Sequence, residues 1–433
     1  LPGPTGRADA SAVATSELSR RLGVEDAFFI GVASMVGAGV FAVFAPAAAA
    51  AGEALLLGLL IAGFVAWCNA TSSAQLAAQY PSAGGTYLYG RQRLGQWPGY
   101  FAGWSFVIGK TASCAAMAMT FAAYWAPQAW HKPVAIAVVW VLVGINYFGV
   151  TRTAQVAKVL VVIALAGLLV ALGVGWGSLP IAAASPIAVP AGLGGWYGLL
   201  QSAGLMFFAF AGYARIATMG EEVRAPERTI PLAIVSALLV TLVLYAGVAV
   251  TLLMLVGSEA LATASAPLML LVASSPWAKA VLVAAALAAS AGALLGLLSG
   301  IGRTWLAMAR NADLPVWFAT THPVHKVPHR VDLVLGGILT LVILLADLRG
   351  AIGFSSFGVL LYYFVANVAA HTQDAAYRRY PRWLQVAGAL ACLVLVATLP
   401  WQSVVAGVVV LVAGVVLRLL RIRAGRIAVP AAN

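Results

Sequence analysis

The sequence predicts an all-α polytopic membrane protein, on three grounds. Of its 433 residues 62% are hydrophobic and 9% charged, with a mean hydropathy of +0.96, whereas a soluble domain carries about 25% charged residues. So few charges cannot cover a water-exposed surface. Apolar runs near the roughly 20 residues needed to cross about 30 Å of hydrocarbon recur along nearly the whole chain. The basic residues gather in alternate loops. A β-barrel is excluded, because its short strands would alternate polar with apolar residues.

About twelve spans follow from the apolar runs, at 28–50, 54–78, 98–125, 133–149, 156–175, 197–219, 231–256, 277–300, 332–348, 352–370, 384–399 and 402–419. The ninth and tenth are short and meet at a turn holding Asp347 and Arg349. With a cytoplasmic N-terminus, the inner loops receive Arg91, Arg93, Arg224, Arg228, Arg303 and Arg310, and many more. The outer loops receive only Lys132, Lys279 and Arg349. Cytoplasmic loops carry the excess of Lys and Arg, so both termini are expected inside a plasma or inner membrane. The net charge of +12 is thereby a topology signal rather than a nucleic-acid footprint. Attraction to anionic inner-leaflet lipids adds to it.

Segment 1–27 holds Arg7, Arg20 and Arg21 among acidic residues and no short apolar stretch with a cleavage site, so no removable signal peptide is read there. Cys68, Cys114 and Cys392 all fall inside apolar runs and read as small core hydrophobes. His322, His325 and His329 share one loop. Their spacing could suit a metal, but the prolines between them and the want of other ligands favour a plain loop, and no metal or cofactor is expected.

Two spans are interrupted by small residues. Span 1 reads Gly31-Val-Ala-Ser34-Met35-Val36-Gly37-Ala38-Gly39-Val-Phe41, and span 6 reads Phe207-Phe208-Ala209-Phe210-Ala211-Gly212-Tyr213. Glycines in such places either let helices pack closely or mark discontinuous helices at matching positions of two inverted halves, the best sequence pointer to a transporter site.

At these residues the chain resembles the amino acid–polyamine–organocation superfamily. Span 1 is similar to that family's Gly-x-Gly-x-x-Ile-Gly-x-Gly-Ile-Phe pattern, with Ala33 in place of the second glycine. Tyr80-Pro81-Ser82-Ala83-Gly84-Gly85-Thr86-Tyr87 resembles its loop after span 2, and Gly99-Tyr100-Phe101-Ala102-Gly103-Trp104 opens span 3 as in relatives. Asn146-Tyr147-Phe148-Gly149-Val150 closes span 4 similarly. Glu221-Glu222-Val223-Arg224-Ala225-Pro226-Glu227-Arg228-Thr229-Ile230-Pro231 follows span 6, and Ala309-Arg310-Asn311-Ala312-Asp313 follows span 8. The resemblance covers about residues 25–330 in order.

The resemblance implies a LeuT-type 5+5 inverted repeat with broken helices 1 and 6 and two peripheral C-terminal helices. The expected division is 1–27 as a cytoplasmic segment, 28–175 and 176–371 as the two halves, 372–419 as helices 11 and 12, and 420–433 as a basic tail. It also implies transport of an amino acid or related amine by alternating access, without a cofactor. Substrate contacts are then expected at Ser34, Met35, Val36, Gly37, Ala38 and Gly39, and at Phe208, Ala209, Ala211 and Gly212, with Phe208 as an aromatic gate. A carboxylate would meet free N–H groups at the first break, and an ammonium would meet free carbonyls at the second.

Lys110 lies about 18 Å along span 3, and a lysine at mid-membrane normally faces the bundle interior with a functional role. Relatives often place a lysine deep in span 5, where this chain has Ala164; Lys158 lies near the inner end of that span and reads as an interfacial cation. Lys110 is therefore the candidate coupling group, with a proton preferred to sodium as the coupling ion, since burial penalises the charged form of an amine. Ser290 in span 8 could offer a hydroxyl to sodium. The thirteen Asp and Glu residues all fall in loops or near span ends, which favours a small or neutral amino acid over a basic one or a polyamine; an antiporter for those is the alternative. Glu221, Glu222, Arg224 and Arg228 are candidates for an ion-pair gate on the cytoplasmic side, or simply solvated loop charges. An enzyme is not expected, because no carboxylate pair lies within a span and the histidines lie in loops or at span ends. A nutrient sensor would want a soluble signalling domain, and none is read. Oligomeric state has no mark in the sequence.

Overall fold

The computed structural model describes residues 22–81, 84–149, 154–178, 180, 189, 192–220, 222–325 and 327–424. Glu221, Ser82, Ala83, Val150, most of segment 1–27 and the tail from 425 lie outside them, as does the side chain of Ala38. The chain is helical, and among the described residues the only strand-like pairing is an isolated parallel bridge between Leu22 and Val223.

The helices run in order α1 Val24–Ala42, α2 Phe44–Ala51, α3 Leu55–Gln79, α4 Gly85–Leu94, α5 Gln96–Trp125, α6 His131–Tyr147, α7 Ala154–Ser178 and α8 Gly192–Phe210. After a 3-10 turn at Ala211–Tyr213 come α9 Ala214–Ala217, α10 Pro226–Leu255, α11 Ser258–Thr263, α12 Pro276–Arg310, α13 His329–Leu345, α14 Leu348–His371, α15 Arg382–Thr398 and α16 Trp401–Arg423. Among the described residues, 10 helical stretches are long and apolar enough to cross a membrane. The sequence predicts about twelve spans; the two others fall on α13 and α15. Each of these has 17 residues, or about 26 Å at 1.5 Å per residue, slightly under the hydrocarbon thickness.

Local chemistry sets the ends. α10 and α12 begin on Pro226 and Pro276, where a missing N–H costs nothing. Asp347 caps α14 by accepting from the Gly350 N–H at 2.8 Å. Exposed Leu60, Val243, Leu390 and Val409 on the outer surface suit lipid rather than water. Exposed Trp125, Trp130, Trp277 and Trp401 stand at or near helix ends, as in interfacial aromatic belts.

The interior is held by close backbone approach and by a few polar contacts. α5 and α14 cross at Gly109 and Gly358: a side-chain carbon on Gly109 would sit 3.0 Å from the Ser355 carbonyl oxygen. Small residues serve this purpose where lipid removes the hydrophobic drive between helices. On the other flank of α14, Asn367 accepts from Ser72 Oγ at 2.6 Å and donates to Asn69 Oδ1 at 2.6 Å, and Cys392 of α15 donates to the same Asn69 oxygen at 3.4 Å. Cys68, Cys114 and Cys392 are all buried free thiols.

Candidate functional site at two helix breaks

α1 breaks at Gly37, whose φ of −27° and ψ of −120° leave the helical region. A side-chain carbon there would stand 2.7 Å from the Ala293 methyl of α12, so the break rests on that helix. α8 stops at Phe210 and turns through Ala211–Tyr213 before α9 resumes. The two interruptions pack backbone to backbone. A methyl on Gly212 would meet the Ser34 carbonyl group and lie 2.5 Å from the Met35 nitrogen, and one on Gly39 would lie 2.8 Å from Ala209 Cα. The glycines are where two main chains touch.

Helix interruption frees carbonyl groups that need donors, and tyrosines on neighbouring helices supply some of them. Tyr245 of α10 donates to Met35 O at 2.7 Å and lies 3.3 Å from Ala209 O. Tyr124 of α5 donates to Phe41 O at 3.1 Å. The carbonyl of Ala211 receives the ammonium of Lys110, at 3.1 Å. Lys110 is 5% exposed, and among the described residues it forms no ion pair with a carboxylate. It therefore faces the interior, onto the second break.

The remaining candidates divide. Met35, Val36, Phe208, Ala209 and Ala211 are buried, while Ser34 returns its hydroxyl to Ile30 O of its own helix at 2.8 Å. Ser290 Oγ is buried on α12, with no hydrogen-bond partner among the described residues. Ala164, at the family's lysine position, is buried. Lys158 binds Glu25 at 3.1 Å and Asp26 at 2.9 Å and lies 5.5 Å from the Phe29 ring, which ties the start of α7 to the start of α1.

Glu221 lies outside the described residues, and among the described ones Glu222, Arg224 and Arg228 form no ion pair with one another. Glu222 pairs with Arg303 of α12 at 3.7 Å, and Arg224 and Arg228 have no ion pair among the described residues. The backbone there instead binds Leu22, just before α1: Leu22 N–H donates to Glu222 O at 3.1 Å, and Arg224 N–H donates to Leu22 O at 2.9 Å. His322 and His329 meet the Tyr147 ring edge-on and His325 meets it tilted, with the His322 and His325 rings 4.7 Å apart, and among the described residues no group of three potential metal ligands has a suitable arrangement.

Sequence reasoning missed the two tyrosines and one charged centre. Asp313 accepts from Tyr87 and Arg91, each at 2.7 Å, and from Arg418. No local pattern signals such contacts, because the partners lie 36 to 226 positions apart.

The chain matches the family described as "Amino acid permease" over residues 26–428. It is 51% identical to an uncharacterized transporter of Mycobacterium tuberculosis, over 92% of this chain and 90% of that one. It is 24% identical to the branched-chain amino acid permease BcaP of Bacillus subtilis, over 93% of each. It is 26% identical to the cationic amino acid transporter 7 of Arabidopsis thaliana, over 85% of this chain and 67% of that one.

Proposed function

Because the chain belongs to the amino acid permease family, we propose that it is a secondary transporter that moves a small or neutral amino acid across the plasma membrane by alternating access. The observation that carries this reading is the contact of the two helix breaks, Gly37 in α1 and Ala211–Tyr213 after α8. An amino acid entering the bilayer midplane must replace the water around its carboxylate and its ammonium. N–H groups at the start of the second half of the broken first helix suit the carboxylate. Carbonyls of the second break suit the ammonium. Ser34, Met35, Gly37, Ala38, Gly39, Phe208, Ala209 and Gly212 would line the substrate, with Phe208 closing over it.

Lys110 is the coupling group in this reading and a proton the coupled ion; Ser290 is the weaker case for sodium. The two halves are 28–175 and 176–371, and the basic ends of the helices face the cytoplasm. A basic substrate is the second reading, favoured by the name of the Arabidopsis relative. Against it, the ion-paired carboxylates stand at helix ends or in loops, among them Glu25, Asp26, Glu222 and Asp313, and none sits at the breaks to neutralise a second cation.

The test is reconstitution of the purified protein in liposomes and uptake of a radiolabelled amino-acid panel, with pH gradients of either sign. Saturable uptake of alanine, valine or leucine in preference to arginine, lysine and spermidine is expected. Preference for the basic compounds would establish the second reading, and no uptake or exchange of any of them would remove both.

A further inference from the structure

The Ala211 carbonyl is the place where, on the reading above, a substrate ammonium would bind, and an ammonium already occupies it. Lys110 Nζ sits 3.1 Å from that oxygen. The Tyr245 hydroxyl, which donates to Met35 O at 2.7 Å, lies 3.3 Å from the neighbouring Ala209 carbonyl.

Among the described residues no carboxylate pairs with Lys110. Cys114, one turn along the same helix, is the titratable group beside it, and α14, packed against α5, adds the phenols Tyr362 and Tyr363. The carboxylates of the other neighbouring helices are engaged elsewhere: Glu25 and Asp26 with Lys158, Asp332 with Asn146 at 2.9 Å, Asp313 with its two arginines. A second ammonium brought to Ala211 O would therefore face the first across a few ångströms of low-dielectric interior, where like charges repel strongly.

We propose that Lys110 is a tethered competitor for the ammonium of the ligand at the Ala211 carbonyl, so that binding of an amine ligand and binding of a proton exclude each other. This rests on the amino-acid reading of the site. The balance is simple. The ligand ammonium forms a hydrogen bond to Ala211 O, the Lys110–Ala211 bond breaks, and Lys110 gives up its proton to water as a neutral amine. When the ligand leaves, the amine takes a proton back and returns to the carbonyl. A carrier that crosses with either the ligand or the proton, but not both, performs ligand–proton exchange. Symport would need both to be bound at once. The coupling sign therefore follows from which ligand group Lys110 imitates: an amine in competition gives exchange, whereas a partner for the ligand carboxylate would give symport.

The test is calorimetric titration of the purified full-length protein with L-alanine, L-valine and L-leucine, in pairs of buffers of different ionisation enthalpy. Release of about one proton per bound ligand is expected, with affinity rising up to about tenfold per pH unit where one proton competes. Lys110→Met should bind with no proton release and no pH dependence, and more tightly than wild type at pH 6. A wild-type measurement stands without the variant: in liposomes an acidic lumen should accelerate uptake and an acidic exterior should slow it. Proton uptake on binding, pH-independent binding by wild type, or loss of binding in a Lys110→Met protein with an unchanged melting temperature would each overturn the proposal alone. If none of the three amino acids bound either form, the amino-acid site itself would fall, and the proposal with it.

Discussion

The hydroxyl of Tyr245 donates to the carbonyl of Met35 across 2.7 Å and reaches Ala209 O at 3.3 Å, so one side chain of α10 spans both helix breaks. Interhelical hydrogen bonds in membranes average ~0.6 kcal/mol and reach ~1.7 kcal/mol. If the contact is made in only one of the alternating states, its loss shifts their balance by about 3- to 17-fold. Tyr245→Phe is expected to keep the fold, lower the melting temperature slightly, and change the rate of substrate exchange in proteoliposomes by that factor. An exchange rate equal to wild type would show that the hydroxyl holds both breaks alike in every state.

Gly212 abuts the main chain of Ser34 and Met35, with the Met35 nitrogen 2.5 Å from where a methyl would be. Backbone cannot move aside as a side-chain tip can, so Gly212→Ala forces the breaks apart. Overpacking of this sort costs about 1–3 kcal/mol. Reduced thermal stability together with weakened substrate binding is expected. Gly144→Ala in α6 is the control, because nothing lies within 4 Å of its new methyl; it should match wild type in both measurements.

The spans and their interruptions were legible in the sequence because hydrocarbon imposes its thickness on every helix, and because Gly37 and Gly212 stand inside otherwise unbroken apolar runs. Lys110 was legible for a related reason: a charge at mid-span is costly enough to mark itself. What it touches was not, since Ala211 lies 101 positions away and offers only its backbone. Tyr245 and Tyr124 escaped notice because a tyrosine in an apolar helix has a packing explanation that needs no partner. Lys158 read as an interfacial cation, and the structure adds its two carboxylates on α1, Glu25 and Asp26. Asp313, Arg91 and Arg418 read as loop and topology charges, because charge pairing across distant helices leaves no periodicity.

Asp313 and Arg418 are each only 1% exposed and joined to each other, while Arg91 closes on Asp313 from the edge. Arg418 also lies 4.8 Å from the Trp97 ring and 4.5 Å from the Tyr100 ring, which fastens α16 to the start of α5. Removing one partner of a buried pair costs about 3–5 kcal/mol when the other is left uncompensated. Asp313→Ala strands Arg418 between two rings. Arg418→Met leaves Asp313 its bonds to Arg91 and Tyr87. Thermal melting in detergent should therefore rank Asp313→Ala as clearly less stable than Arg418→Met; the reverse order would mean that Arg418 contributes mainly through its ring contacts.

His322 gives the loop before α13 a pH dependence. Its Nδ1 accepts from the N–H groups of Val324 and His325, both at 3.2 Å, and a protonated Nδ1 can accept neither. Partial loss of hydration, then the neighbouring His325 and His329, push its pKa below the ordinary 6.5. The unfolded loop thus binds the proton more readily than the folded one, and stability rises with pH between the two values. The contribution is fully present above about pH 6.5 and is lost as pH falls through the depressed folded value. Hydrogen exchange at Val324 and His325, corrected for the intrinsic rate, should show less protection at pH 5.5 than at pH 7.5. His322→Ala should remove that difference by lowering protection at pH 7.5. Equal protection at both pH values in wild type would mean that the imidazole nitrogen does not hold the turn.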